Sequence, residues 1–310
     1  MGGIDMSGLG LTFLRRGNLA HPTAGSDYIL SEGRGDPEVF RILMSKGVSS
    51  DGVGITKDDA AKVTTISNWF YGNTIIENFD EFQYFTGVTT LGVTNNFTYG
   101  SFRNCTNLKS LVIPSSVSKI YRASLYNCTA LVNLSVSWEN IITLETEALY
   151  NCNSLNVDYM NLVNCTSLGE NALYMVNIRN LNLRSLPTLP NAGSNQRQNY
   201  GNKTILENLV WSDAITSIPQ FSLWNYSSLK SLRIPSSVTS IGRQAVYGCA
   251  GLSHIMCEAV TPPTLGDNAV FDATGNCPIY VPDSSVDAYK AANYWAEYAS
   301  RIKPISEFNG

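Results

Sequence analysis

The segment NCTNLKSLVIPSSVSKI, Asn104 to Ile120, is spelled almost again as NYSSLKSLRIPSSVTSI from Asn225 to Ile241. A near-copy of this length confines the chain to folds built by stacking one unit, because each copy needs the same surroundings. The unit has a pitch. Cys105 and Cys128 are 23 residues apart, Cys128 and Cys152 are 24, and Tyr226 and Cys249 are again 23. Apolar positions hold register across copies. Leu108, Leu111, Ile113, Val117 and Ile120 in one copy match Leu206, Leu209, Trp211, Ile215 and Ile218 in another. Leu229, Leu232, Ile234, Val238 and Ile241 form a third set, and Leu252, Ile255 and Cys257 begin a fourth.

Within the unit, Leu111 and Ile113 flank Val112 in the alternation of a short strand. Pro114 and Pro235 end that strand, since proline lacks the N–H a ladder needs. The SS pair turns the chain, and Val117 and Ile120 return inward. One such coil cannot bury its apolar side alone, whereas stacked coils share a continuous core. The expected fold is therefore mainly β with short helices: a solenoid of about 23-residue coils with terminal caps. The low charged content of 15%, offset by Asn, Ser and Thr, suits such a hydrogen-bonded stack.

Asn precedes the Cys position at Asn104, Asn127, Asn151, Asn164 and Asn225, with Gly248 as the exception. Asn at a tight bend can satisfy backbone groups in every coil, which accounts for these residues without invoking their N-x-[ST] sequons. Cys105, Cys128, Cys152, Cys165 and Cys249 are read as one column of small buried side chains. Together with Cys257 and Cys277 they make an odd set of seven, and reduced thiols are expected. The interval from Cys152 to Cys165 is only 13 residues, so that coil is expected to lack about one strand and turn. A polar stretch near 187–204, with a loop over Asn191–Lys203, is expected to protrude, either as a working insertion or as a tolerated one.

The unit N-C-x-x-L-x-x-L-x-I-P-x-S-V-x-x-I-x-x-x-A, as in NCTNLKSLVIPSSVSKIYRAS, resembles the BspA-type leucine-rich repeat from Leu91 to Pro262. The resemblance implies a right-handed solenoid with parallel sheets, used for binding proteins or surfaces and not for catalysis. The C-terminal piece TPPTLGDNAVFDATGNCPIYVP and the helical stretch after it resemble the closing segment of such proteins from gut Bacteroidales. The N-terminal LTFLRRGNLAHPTAGSDYI resembles, more loosely, the heads of leucine-rich-repeat proteins of their phages and prophages.

The chain then divides into an extended N-terminal arm over 1–45, a cap over 46–90, the solenoid over 91–262 and a strand-helix cap over 263–310. In the last of these, CPIYVP is expected to supply the final strand. Ser284 or Ser285 would cap a helix whose Ala288, Ala292, Trp295 and Ala299 share a face. In the first cap, SSDGVGITKDDAAKV resembles a worn EF-hand loop, with Asp51 and Asp59 as the Ca²⁺ candidates. Gly47 and Ser49 stand where such a loop carries oxygen-rich side chains, so a helix start around Asp58–Val63 is the favoured reading.

Chemistry is poorly supplied. The two histidines are His21 in the arm and His254 at an outward repeat position, where Ser110, Asn208 and Ser231 stand in other copies. No G-x-S-x-G, C-x-x-C, H-E-x-x-H or phosphate loop is present, so neither an enzyme nor a cofactor or metal is expected. The net charge of −4 and pI near 5.3 give no general attraction to nucleic acid or anionic membrane. No apolar run is long enough for a membrane span, and Arg15 and Arg16 follow the mildly apolar N-terminal stretch, the reverse of a secretory signal.

One column stands out for binding. Tyr126, Tyr150, Trp224 and Tyr247 precede the Cys position by two, with Arg103 and Val163 in the same place. Stacked aromatics with polar tips could bind a glycan or a protein hot spot, or could pack half-buried along the flank. The expected function is that of a non-enzymatic module displayed on the capsid or tail of a bacteriophage virion. It would bind a protein or cell-surface glycan, form a homo-oligomer on the particle, and be anchored to phage proteins through the arm with Arg15, Arg16 and His21. The alternative is a bacterial surface adhesin of the BspA type.

Overall fold

The computed structural model describes residues 27–92, 100–191 and 199–309. Arg15, Arg16 and His21 lie outside them. From Tyr28 onward the segment expected to belong to the arm is folded: β1 (Tyr28–Ser31) leads into α1 (Pro37–Ser45). β1 pairs antiparallel with β2 (Gly54–Thr56), which runs into α2 (Lys57–Lys62). The Asp36 carboxylate caps α1 by accepting from the N–H groups of Glu38 (2.9 Å) and Val39 (3.2 Å). Val39, Ile42 and Leu43 turn the helix's apolar side onto the core.

The repeats stack as coils with two strand positions each. On the first face lie β3 (Asn78–Phe79), β5 (Ser110–Val112) and β7 (Asn133–Ser135), all parallel. The face continues with β9 (Asn156–Asn161), β11 (Asn177–Leu183) and β12 (Asn208–Trp211). It ends with β14 (Ser231–Ile234), β16 (His254–Cys257), β18 (Ile279–Val281) and β19 (Ile302–Pro304). The second face carries two-residue strands. β4 (Thr90–Leu91), β6 (Lys119–Ile120), β8 (Thr143–Leu144) and β10 (Ser167–Leu168) form one ladder. β13 (Ser217–Ile218), β15 (Ser240–Ile241) and β17 (Thr264–Leu265) form another. The chain is thus a β-solenoid whose pairings step by the repeat length, as in Ser110 with Asn133 and Ser231 with His254.

Between the two second-face ladders, residues 184–191 form turns and no strand, so the irregular stretch interrupts that face; it does not protrude as expected where it is described, since Leu189, Asn199 and Tyr200 are buried, and 192–198 lie outside the described residues. Leu, Ile, Val and Cys of the repeat columns fill one continuous core, begun at its N-terminal end by the packed rings of Phe70, Phe79, Phe82, Phe85 and Phe102. All seven cysteines are unpaired and buried. The thiols of Cys105, Cys128, Cys152 and Cys249 each point at a carbonyl of the preceding coil, such as Cys128 Sγ to Phe102 O at 3.0 Å. Burial pushes the Cys105 and Cys249 thiols up to about 12.

The structure corrects the reading of Cys165. Ile142 N bonds Ser118 O and Thr166 N bonds Ile142 O, which stacks Cys165 on Ile141 and Val117 in the inward column before the second-face strand. Asn164 likewise repeats Asn140: its amide donates to Glu139 O (2.8 Å) as Asn140 donates to Ser115 O (3.0 Å). The column of Cys152 continues at buried Val176, so no strand and turn are missing. A small thiol fits either inward column, and the Asn-Cys pair therefore misleads.

The C-terminal cap also departs from expectation. α3 (Val286–Ala291) is short, the chain reverses through Tyr294 at φ 62°, and Trp295–Arg301 continue as a 3₁₀ helix. Ser285 precedes α3 without a side-chain cap bond. Ala288 is exposed, and the face turned inward is Tyr289, Trp295 and Tyr298. Their polar tips reach carbonyls of the last coils: Tyr289 Oη to Ala259 O (2.7 Å), Trp295 Nε1 to Pro263 O (2.7 Å) and Tyr298 Oη to Asn268 O (2.5 Å). These anchors, spaced unlike one helix face, break the helix. β18 is not the last strand, because β19 adds beside it.

Candidate recognition surface

One turn recurs on the flank between the second and first faces. It runs over 123–127, 147–151, 171–175, 221–225 and 244–248, and its first and last residues have left-handed backbones. Examples are Ala123 (φ 54°) with Asn127 (φ 61°) and Glu147 (φ 59°) with Asn151 (φ 60°). Asn and Gly recur at the last position because they enter this region at low cost. Alternate N–H groups of the turn point to the next coil, as in Leu125 N to Ala148 O (2.8 Å) and Asn127 N to Tyr150 O (2.7 Å). The Asn side chains add their own ladder: Asn151 donates to Asn127 (2.8 Å) and Asn127 to Asn104 (3.3 Å). At Gly248 a Cβ would meet Asn225 Oδ1 at 1.9 Å, which explains the exception in the column.

This turn sets the fourth side chain of each copy in register. Tyr126 stacks on Tyr150 at 4.8 Å and 6° between planes, and Tyr150 stacks on Tyr174 at 4.5 Å and 9°. The Arg103 guanidinium lies 4.4 Å over Tyr126. Farther along, Trp224 and Tyr247 lie parallel at 6.4 Å and 12°, with the Lys203 ammonium 4.6 Å over the indole. The four predicted aromatics are half-buried on this flank and fall into two stacks, with no ring contact among the described residues joining Tyr174 to Trp224. The column adds three members that the sequence reading missed. Tyr174 takes the place assigned to Val163, as the misplaced Cys165 hid it; counting 24 residues on from Tyr150 finds it. Gly72 N bonds Arg103 O, which puts Tyr71 one coil before Arg103, and Gly248 N bonds Asp272 O, which puts Asp272 one coil after Tyr247.

The stacking decides what the ladder can offer. Ring faces between Tyr126 and Tyr174 are covered by their neighbours, so a sugar cannot lie flat on them; the half-buried rings leave only edges to a ligand. Burial lowers the Lys203 pKa, and Lys203 makes no ion pair among the described residues. Charges on the first face are balanced locally: Lys109 with Glu77 (2.7 Å), Arg179 with Asp158 (3.2 Å), and Arg233 between Asp213 (2.5 Å) and Glu258 (2.6 Å). His254 lies under Phe308 (ring centroids 4.6 Å apart), with burial lowering its pKa.

The Ca²⁺ candidates are occupied otherwise. Asp51 accepts from the Tyr28 hydroxyl, Ser49 Oγ (3.0 Å) and the N–H groups of Val53 (2.8 Å) and Gly54 (3.2 Å). Asp59 closes a capping box with Thr56 at the start of α2, the helix start expected there. No group of three or more His, Cys, Asp or Glu side chains among the described residues could hold a metal ion. No helix among them is long and apolar enough to cross a membrane.

The model of the BspA-type leucine-rich repeat region, in six copies, matches residues 64–196 and 196–285. Among solved structures, a leucine-rich cell surface protein of Faecalibacterium prausnitzii is 14% identical with a TM-score of 0.34, over 77% of this chain and 79% of that one. A leucine-rich repeat protein of Bacteroides ovatus is 13% identical with a TM-score of 0.29, over 69% of each chain. The pneumococcal vaccine antigen PcpA is 12% identical with a TM-score of 0.30, over 64% and 66%. No curated protein matches.

Proposed function

The chain belongs to the BspA-type leucine-rich repeat family, and from that premise we propose a non-enzymatic recognition module that meets a protein or glycan surface along its aromatic flank. The observation that carries this reading is the parallel stack Tyr126–Tyr150–Tyr174, with a separate parallel pair, Trp224 and Tyr247, farther along the same flank. Amphipathic rings held rigid on a hydrogen-bonded scaffold lose little entropy on binding. Tyr126→Ala and Tyr247→Ala test the reading. Each should weaken partner binding about tenfold, on the scale of a hot-spot contact. Binding left intact alongside a lowered melting temperature would make the ladder structural only.

In this proposal the module is displayed on a bacteriophage particle. The arm with Arg15, Arg16 and His21 serves as anchor, and several copies sit on one capsid or tail. Seven buried, unpaired thiols support assembly in a reducing cytoplasm, and the phage-like N-terminal head supports the same setting. The family itself favours a second reading, a bacterial surface adhesin. Antibody detection separates the two: signal confined to density-purified particles supports display on a virion. Signal confined to the cell envelope supports the adhesin.

A further inference from the structure

The ring faces between Tyr126 and Tyr174 are closed, so a ligand along the tyrosine stack meets ring edges, one per coil. Coils in a parallel stack advance by about 4.8 Å, and the Tyr126, Tyr150 and Tyr174 rings keep to 4.8 and 4.5 Å. An extended peptide advances about 3.3 Å per residue, out of step with the tyrosine stack whether counted by one residue or by two, and only the 6.4 Å between Trp224 and Tyr247 comes near its two-residue step. A polysaccharide running along the solenoid axis can instead offer one hydroxyl-bearing unit per coil.

The charge on the ladder narrows the class further. Lys109, Arg179, Arg233 and Arg243 all meet carboxylates within 4.0 Å. Lys203 has the Trp224 ring at 4.6 Å and no ion pair among the described residues. A partly buried ammonium facing a ring and lacking a counter-anion is completed by an anion from outside. Asp272, one coil beyond Tyr247 and bonded by the Tyr298 hydroxyl at 3.1 Å, puts a carboxylate where an anionic ligand must end on that side.

We propose that this flank binds an acidic polysaccharide lying along the solenoid axis, with a carboxylate on Lys203 and sugar hydroxyls on the edges of Trp224, Tyr247 and the tyrosine stack. The inference rests on the reading of the flank as the recognition surface. The test is calorimetric titration of the full chain with oligogalacturonate, with the same oligomer after carboxyl reduction, and with polyglutamate. Oligogalacturonate should bind, and the reduced oligomer should bind at least tenfold more weakly, the worth of one charge-assisted contact. Lys203→Ala should lose about tenfold and Lys203→Arg should restore binding, with melting temperatures unchanged. Equal binding of the reduced oligomer overturns the acidic class and leaves the flank as a glycan site. Binding of polyglutamate alone overturns the proposal in favour of an acidic protein partner. Glycan binding untouched by both Lys203→Ala and Tyr247→Ala moves the site elsewhere and sinks the flank reading as well. Absence of binding to oligogalacturonate overturns the proposal outright.

Discussion

Asp36 uses its two carboxylate oxygens in different elements. One caps α1; the other accepts from the N–H groups of Glu77 (2.8 Å) and Asn78 (3.2 Å), on the open edge of β3. Removing it leaves both a helix end and a sheet edge unsatisfied, so Asp36→Ala should destabilise the fold by about 2–3 kcal/mol. Urea unfolding measures this, and a change under 0.5 kcal/mol would refute the double role. Asp51 gives a second residue-level expectation. The Tyr28 hydroxyl first, then the Val53 N–H, hold its pKa down from 3.8 to about 2. A carboxylate depressed in the folded state contributes stability that is full above its unfolded pKa and is lost as pH falls through the folded one. The β1–β2 cap should therefore loosen between about pH 4 and pH 2. In Tyr28→Phe the Asp51 carboxyl should titrate at higher pH by carbon-detected NMR, and an unmoved titration would assign the depression to the backbone donors.

At the scale of elements, the C-terminal cap hangs on three aromatic anchors. Trp295 is buried against Phe271 (5.3 Å) and Tyr289 (4.8 Å) while bonding Pro263 O. Trp295→Ala should cost about 3–5 kcal/mol, and the uncovered last coil should promote association. Light scattering alongside thermal melts checks both, and a monomer of unchanged stability would refute the anchoring role. The repeat strands were legible because Leu108, Leu111, Ile113 and their counterparts recur at one offset and every inward position is apolar. The cap helix was misread because alanine spacing implies a helical face without fixing it. The hydroxyls and indole N–H that choose carbonyls of the last coils act across about 30 residues and leave no local period. Cys165 failed for a related reason, since only inter-coil hydrogen bonds tell one inward column from another. The aromatic ladder was half legible: its period lies in the sequence, whereas the closure of its ring faces is a matter of three-dimensional stacking.

For the whole molecule, stability is a sum over neighbouring coils, and the sum is weakest where a ladder stops. On the second face the ladder stops after Leu168 and resumes at Ser217, whereas β9, β11 and β12 on the first face pair across that stretch, so the inter-coil bonds lost there are those of the second face. Hydrogen exchange should divide the solenoid there, with protection changing between β10 and β13; one uniform opening across both ladders would refute the division. The thiols report on the same event. With burial raising Cys105, Cys249 and Cys257 to about 12, 12 and 11, a thiol reagent near neutral pH should find the native chain unreactive and the unfolded chain fully reactive. Rapid labelling of native protein would show that the columns open locally. The forward-pointing N–H groups of the flank turn have a further consequence. Where one such turn follows another, as over 123–127, 147–151 and 171–175, each needs only a successor of its own kind, so a coil gained or lost there by duplication or deletion leaves its neighbours satisfied. The number of coils is then free to drift between generations, and the distance between the two ends of the molecule becomes a heritable length that selection can adjust in steps of one repeat.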